Sequence, residues 1–120
     1  MVDHRTQFGL DAEGLVSDML VGQGFRILDR NWRRPWGELD VVALKDAVIH
    51  FVEVKASRRH VDGFAPELRA DWRKMAKVRR TARTWLTANH CSPDTEWQID
   101  VASVIMREDT APVIEIFPQE

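Results

Sequence analysis

Two runs rich in Val, Leu, Ile and Phe, residues 38–44 and 48–55, stand only three residues apart, and no other feature restricts the fold of this chain so much. Strand-forming runs that close together predict a β-hairpin. With the turn at Asp46 and Ala47, Lys45 pairs with Val48, Asp40 faces Glu53 and Glu38 faces Lys55. Side chains alternate across a strand, so Phe51, Glu53 and Lys55 take one face while Val52 and Val54 take the other. Opposed residues of an antiparallel pair have Cβ atoms about 5 Å apart. The register therefore crowds Glu38, Asp40 and Glu53 with Lys55 into one small patch.

The rest of the chain supplies partners for this hairpin. In residues 9–22, Ala12, Leu15, Val16, Met19 and Leu20 recur at helical spacing, which predicts an amphipathic helix ended by Gly22 and Gly24. Glu13 falls at the border of its apolar stripe and can face a neighbouring sheet. Phe25, Ile27 and Leu28 begin a strand towards Trp32, and residues 33–37, with Pro35, read as a loop. A second helix is expected from Pro66 to about Asn89, with Leu68, Trp72, Met75, Val78, Ala82, Trp85 and Leu86 on its apolar stripe. Arg69, Arg73, Lys77 and Arg80 line up on its polar face, in the same basic stretch as Lys74. Trp97, Ile99, Val101, Ser103 and Ile105 alternate as a further strand, and residues 113–117 form a short last one between two prolines. The order is α-β-β-β-α-β-(β). The expectation is an α/β fold, one domain over residues 1–120, with a mixed β-sheet flanked by helices.

Charge distribution says more than net charge. The chain carries a formal net charge of −2, yet from Lys55 to His90 ten basic residues stand against three acidic ones. A basic segment on an otherwise acidic chain suits a phosphate-facing surface, here Arg69, Arg73, Lys74, Lys77 and Arg80. No apolar run has the length of a membrane span, the first residues lack the pattern of a secretory leader, and the single Cys91 fits a reducing compartment. A cytoplasmic location is expected.

The acids facing each other in the hairpin call for a cation. Asp40 opposite Glu53 is a like-charge pair that opposes strand pairing by itself. Mg²⁺ or Mn²⁺, hard ions that bind carboxylate oxygen, water and substrate phosphate together, would relieve it. Such an ion polarises a phosphoryl group and acidifies water. Lys55 would orient that water and offset developing charge.

Asp40, then Glu53-Val54-Lys55, following a helix that carries Glu13, resembles the PD-(D/E)xK nuclease superfamily. Gly9 with Ala12-Glu13, Gly24-Phe25, Arg30-Asn31-Trp32-Arg33, Gly37-Glu38-Leu39-Asp40 and Phe51-Val52-Glu53-Val54-Lys55 together resemble the YraN family of small endonuclease-like bacterial proteins. Lys74, Ala82, Trp85-Leu86 and Asp100-Val101 extend the similarity over nearly the whole chain. That family is similar in turn to Holliday-junction resolvases. The resemblance implies a restriction-endonuclease-like core, with Asp40, Glu53 and Glu13 at a Mg²⁺ site and Lys55 as the water-orienting lysine. It further implies phosphodiester hydrolysis in branched or structured DNA, and a homodimer. Ser57 and Gln98 stand where the family pattern tends to have Arg, which bears on phosphate contacts and not on metal binding. They motivate an alternative, a nucleic-acid-binding module on the same fold that no longer cuts. A third reading is a small interaction protein whose charges only keep its surface soluble.

Other reactive side chains suggest less. His4, His50, His60 and His90 lack the mutual spacing of a zinc site, and they read as surface or capping residues. Cys91 has no neighbouring base in sequence and does not read as a nucleophile. Asp100 reads as structural. Trp72 and Trp85 read as core, whereas Trp32 and Trp36, flanking Arg33-Arg34-Pro35, can either stack on an exposed base or anchor their loop.

Overall fold

The structure, a computed structural model, describes residues 4–58 and 72–119, with side chains described from Gln7 to Arg58 and from Arg73 to Gln119. Its elements are α1 (His4–Gly22), β1 (Arg26–Arg34), β2 (Gly37–Lys45), β3 (Val48–Ser57), α2 (Trp72–Ala88), β4 (Glu96–Ile105) and β5 (Val113–Gln119). The strands form one mixed sheet in the order β1-β2-β3-β4-β5. Only β3 and β4 pair in parallel. Parallel neighbours need a long crossover, and α2 lies within that connection.

The expected hairpin forms on the expected turn. Lys45 pairs with Val48, and the register runs unbroken to Val41 opposite Val52. Asp46 and Ala47 have φ of 51° and 65°, the left-handed pair that a two-residue type I′ turn requires. Pairing does not reach Asp40 and Glu53, or Glu38 and Lys55. Beyond Val41 the two strands part, because the Asp40 carboxylate takes the Val54 amide, Oδ2 accepting from N at 2.8 Å. A side chain has replaced the next rung of the ladder.

The sheet is covered on both faces. On one, Met75, Ala82 and Trp85 of α2 pack on Leu39, Val42, Ile49, Phe51, Ile99 and Val101. On the other, Ala12, Val16 and Leu20 of α1 pack on Val41, Ala43, Val52, Ala102 and Val104. Burying such side chains contributes roughly 1.5–3 kcal/mol each. β4 is buried from Ile99 to Ile105, as a strand with helices on both sides must be. Leu39 and Val41, two apart, lie on opposite faces, so the alternation of β2 slips by one at Asp40.

The ends of elements are more ordered than periodicity suggests. α1 begins at His4 and not at Gly9, since its first turns add no buried apolar residue for a periodicity to register. It closes in a Schellman motif, Phe25 N donating to Leu20 O at 2.9 Å and Gly24 N to Val21 O at 3.0 Å, with Gly24 at φ 93°. α2 closes the same way with His90 in the left-handed position, φ 55°. Its expected first turns, including Leu68 and Arg69, lie outside the described residues. The expected loop over 33–37 is shorter, because Arg33 and Arg34 belong to β1 and pair with Glu38 and Gly37. β5 runs on through Pro118, which an edge strand tolerates.

Candidate functional site

Where β2 and β3 part, residues from both sides of the sheet line one cleft of about 720 Å³, among them Glu13, Glu38, Asp40, Glu53, Arg73, Lys74 and Lys77. Glu13, Asp40 and Glu53 each come from a different element, and Glu38 shares β2 with Asp40. Glu13 comes from α1 and lies inside the buried stripe, only 8% exposed, not at its border. Asp40 sits at the slip in β2. Glu53 follows Phe51 on the α2 side of β3, with its side chain 10% exposed.

The electrostatics of this cluster follow from burial. Desolvation, and then the charges of Glu13, Glu38 and Glu53, raise the Asp40 pKa from the ordinary 3.8 to about 7, against the lowering effect of the Val54 amide. Glu13 is also raised, chiefly by burial, although hydrogen bonds to Asp40 and Asn31 oppose the shift. Burial raises both neighbouring carboxyl groups, so this pair resists full ionisation. Lys74 of α2 reaches across the cleft to Glu53, Nζ to Oε1 at 2.6 Å. Glu13 Oε2 and Glu53 Oε2 are buried with no hydrogen-bond partner. Buried oxygens without donors cost free energy.

A hard divalent cation fits this donor set in chemistry: acidic oxygens only, two of them unsatisfied, converging on one opening. The set is not preassembled. Among the described residues no group of three His, Cys, Asp or Glu is gathered as a metal site, and Lys74 already offsets Glu53. Binding an ion would require ionisation of Asp40 and Glu13, which burial opposes, and adjustment of Glu53.

Of the residues expected from sequence, Glu13, Asp40 and Glu53 line one cleft together with Arg73, Lys74 and Lys77. Lys55 pairs with Ser103 two residues beyond Glu53 on β3 and is not among the described residues lining the cleft. Arg80 lies with its guanidinium 4.9 Å from the Trp36 ring centroid. Arg69 is outside the described residues. One participant, Asn31, goes beyond the residues expected from sequence, and one expected residue, Lys74, has a second role. Asn31, which reaches Glu13, has φ 51° in the middle of β1, and an Asn before Trp in a strand is a weak signal for that conformation. Lys74 was read as a phosphate contact and is also the counterion of Glu53.

His50 is neither a surface nor a capping residue. Its Nδ1 lies 2.7 Å from Asp100 Oδ2, its ring packs edge-on to Phe25, and Gln98 donates to the other Asp100 oxygen at 2.7 Å. The partners explain why Asp100, 3% exposed, is tolerated there. Trp85 is core as expected, its Nε1 donating to Asp29 at 3.1 Å. The side chain of Trp72 lies outside the described residues, as does His60.

This arrangement, a mixed sheet between two helices with an acidic cleft at parted strands, defines a small α/β protein with a restriction-endonuclease-like core. Residues 12–104 match the family described as "Uncharacterised protein family UPF0102". The chain is 37% identical over 107 residues to a UPF0102 protein of Trichlorobacter lovleyi, covering 88% of this chain and 83% of that one. It is 36% identical over 107 residues to one of Paenarthrobacter aurescens, covering 89% and 87%. With one of Mycobacterium avium it shares 37% identity over 114 residues, covering 92% and 86%. The chain belongs to the UPF0102 family, the YraN family that its motifs resemble.

Proposed function

We propose that this protein is a Mg²⁺- or Mn²⁺-dependent endonuclease that hydrolyses phosphodiester bonds in DNA, with branched or otherwise structured DNA as its substrate. The observation that carries the reading is that Glu13, Asp40 and Glu53, two of them with a donorless buried oxygen, line one cleft with Arg73, Lys74 and Lys77. Asp40, Glu53 and Glu13 would hold the ion, which supplies Lewis acidity towards a phosphoryl oxygen and a more acidic water. Arg73 and Lys77 hold the flanking phosphates by charge and position the strand over the acids. Lys74, exposed over half its side chain, offsets the charge of Glu53 before substrate enters and lies where it can turn to a phosphate. Lys55, the lysine of the resemblance, orients the attacking water. A homodimer belongs to the same proposal and is read by analytical ultracentrifugation.

The test is cleavage of labelled duplex, single-stranded, flap and four-way-junction DNA with and without Mg²⁺ or Mn²⁺. Metal-dependent cutting is expected, reduced at least a hundredfold in Asp40→Asn and Lys55→Ala proteins. Cutting that persists unchanged in both variants would remove this site from the reaction.

One observation favours a second reading, a DNA-binding module that does not cut: Lys74 already occupies Glu53, and no three-ligand group is gathered among the described residues. Calorimetry separates the two. DNA binding with no Mn²⁺ binding supports the module.

A further inference from the structure

The tip of the β1–β2 hairpin carries a feature that hydrolysis at the acidic cleft does not use. Pro35 and Trp36 form the tip, between Arg34 and its partner Gly37. Trp36 is 37% exposed, and with Val21 it makes up the exposed large hydrophobic residues among those described. The exposed part of the indole forgoes its burial energy unless it meets a partner. Its neighbour in the fold is Arg80 of α2, placed over the ring.

Anchoring of the tip is already accomplished by other residues. Trp32 packs against the α2-side core and carries Arg34 over its ring at 3.7 Å. Gly37 approaches α2 so closely that a Cβ there would collide with Thr81 Oγ1, and Thr81 is fully buried, its hydroxyl donating to Lys77 O at 2.8 Å. The tip is therefore pinned to α2 by contacts besides that of the Trp36 ring with Arg80. Gly37, Lys77 and Thr81 also line the cleft, so the tip forms its rim. Arg80 stands over the indole, and one helical turn away on the same face of α2 Lys77 lines the cleft.

From this we infer that Trp36, with Arg80 and Lys77, is a stacking site for an unpaired nucleobase. The indole offers a π-face to the base, and the two cations neutralise the adjoining phosphates. Duplex bases, already stacked on their neighbours, cannot use it. The inference rests on the proposal that the cleft binds nucleic acid and specifies the substrate further: DNA with unpaired nucleotides beside the strand held over the acids. A base on Trp36 would sit outside the acids and take no part in bond breaking.

The experiment measures affinity of the full chain for a single-stranded oligonucleotide and for a duplex of the same length, using wild-type, Trp36→Ala and Trp36→Phe proteins. A second probe is a junction bearing unpaired 2-aminopurine, whose fluorescence is quenched when it stacks. The single-strand to duplex affinity ratio is expected to fall about tenfold in Trp36→Ala and much less in Trp36→Phe. Quenching should be lost in the first and retained in the second. An unchanged ratio with unchanged quenching overturns the stacking site, and if duplex binding and metal-dependent cutting persist, the proposed function survives without it. Absence of binding to either form overturns both.

Discussion

At the scale of single residues, Asp40 is where three demands meet. It ends the β2–β3 ladder by taking the Val54 amide, it hydrogen-bonds to Glu13, and it sits in the field of Glu38 and Glu53. Its folded-state pKa of about 7 lies above the ordinary 3.8, so between those values the folded chain holds a proton that the unfolded chain has lost. The sign follows directly. This contribution to stability is fully present below about pH 4, declines as pH rises towards 7, and is absent above it. Glu13, also raised, acts in the same direction. In a metal chelator, wild-type protein is therefore expected to lose stability from pH 5 to pH 8, and Asp40→Asn to lose less, by roughly 2 kcal/mol. Asn can still accept from Val54. Urea unfolding at both pH values measures the difference, and parallel curves for the two proteins would remove Asp40 as the source. Spacing could mark Asp40 as an acid near Glu53, because a strand register is arithmetic. Its capture of a backbone amide was not legible, since period-2 alternation assumes a strand without interruption.

Among the elements, the hairpin that dominated the sequence is also the one most faithfully realised. The two-residue turn and the pairs from Lys45↔Val48 to Val41↔Val52 follow from strand-forming runs meeting at Asp46-Ala47. The β1 boundary was harder to read. An edge strand ending in Arg33 and Arg34 shows no apolar alternation, and its pairing is held by backbone hydrogen bonds and an Arg33–Glu38 ion pair at 3.3 Å. Polar first turns hid the start of α1 in the same way. The turn contains a correctable strain: Ala47 is held at φ 65°, where a Cβ meets the backbone and glycine does not. Ala47→Gly converts the turn to Asp-Gly, the preferred type I′ pair. It is expected to raise stability by about 1 kcal/mol, visible as a higher urea midpoint at unchanged slope, with the cleft untouched. A lower midpoint would mean that the chain entropy of glycine in the unfolded state outweighs the relief.

For the molecule as a whole, the governing fact is that charge is segregated and not merely balanced. The net formal charge is −2, yet the acids Glu13, Glu38, Asp40 and Glu53 face the cations Arg73, Lys74 and Lys77 across a single cleft. The basic segment was visible in the sequence, but the contact of Lys74 with Glu53 depends on how α2 docks on the sheet and could not be counted from spacing. No described helix is long and apolar enough to cross a membrane. If α2 is the phosphate-holding element, DNA affinity must depend on salt by counterion release, with log K falling by about 0.9 per decade of salt for each phosphate neutralised. Arg73→Ala and Lys77→Ala should each weaken binding to unrelated sequences alike and flatten that slope by about 1. Glu53→Gln should act oppositely at low salt in chelator, because it removes an anion from the path of the phosphate and ends the Lys74–Glu53 ion pair. Fluorescence anisotropy titrations from 50 to about 200 mM salt resolve all three. Slopes that stay at the wild-type value in both basic variants would place the phosphates elsewhere on the molecule, and with them the strand that the acids are proposed to cut.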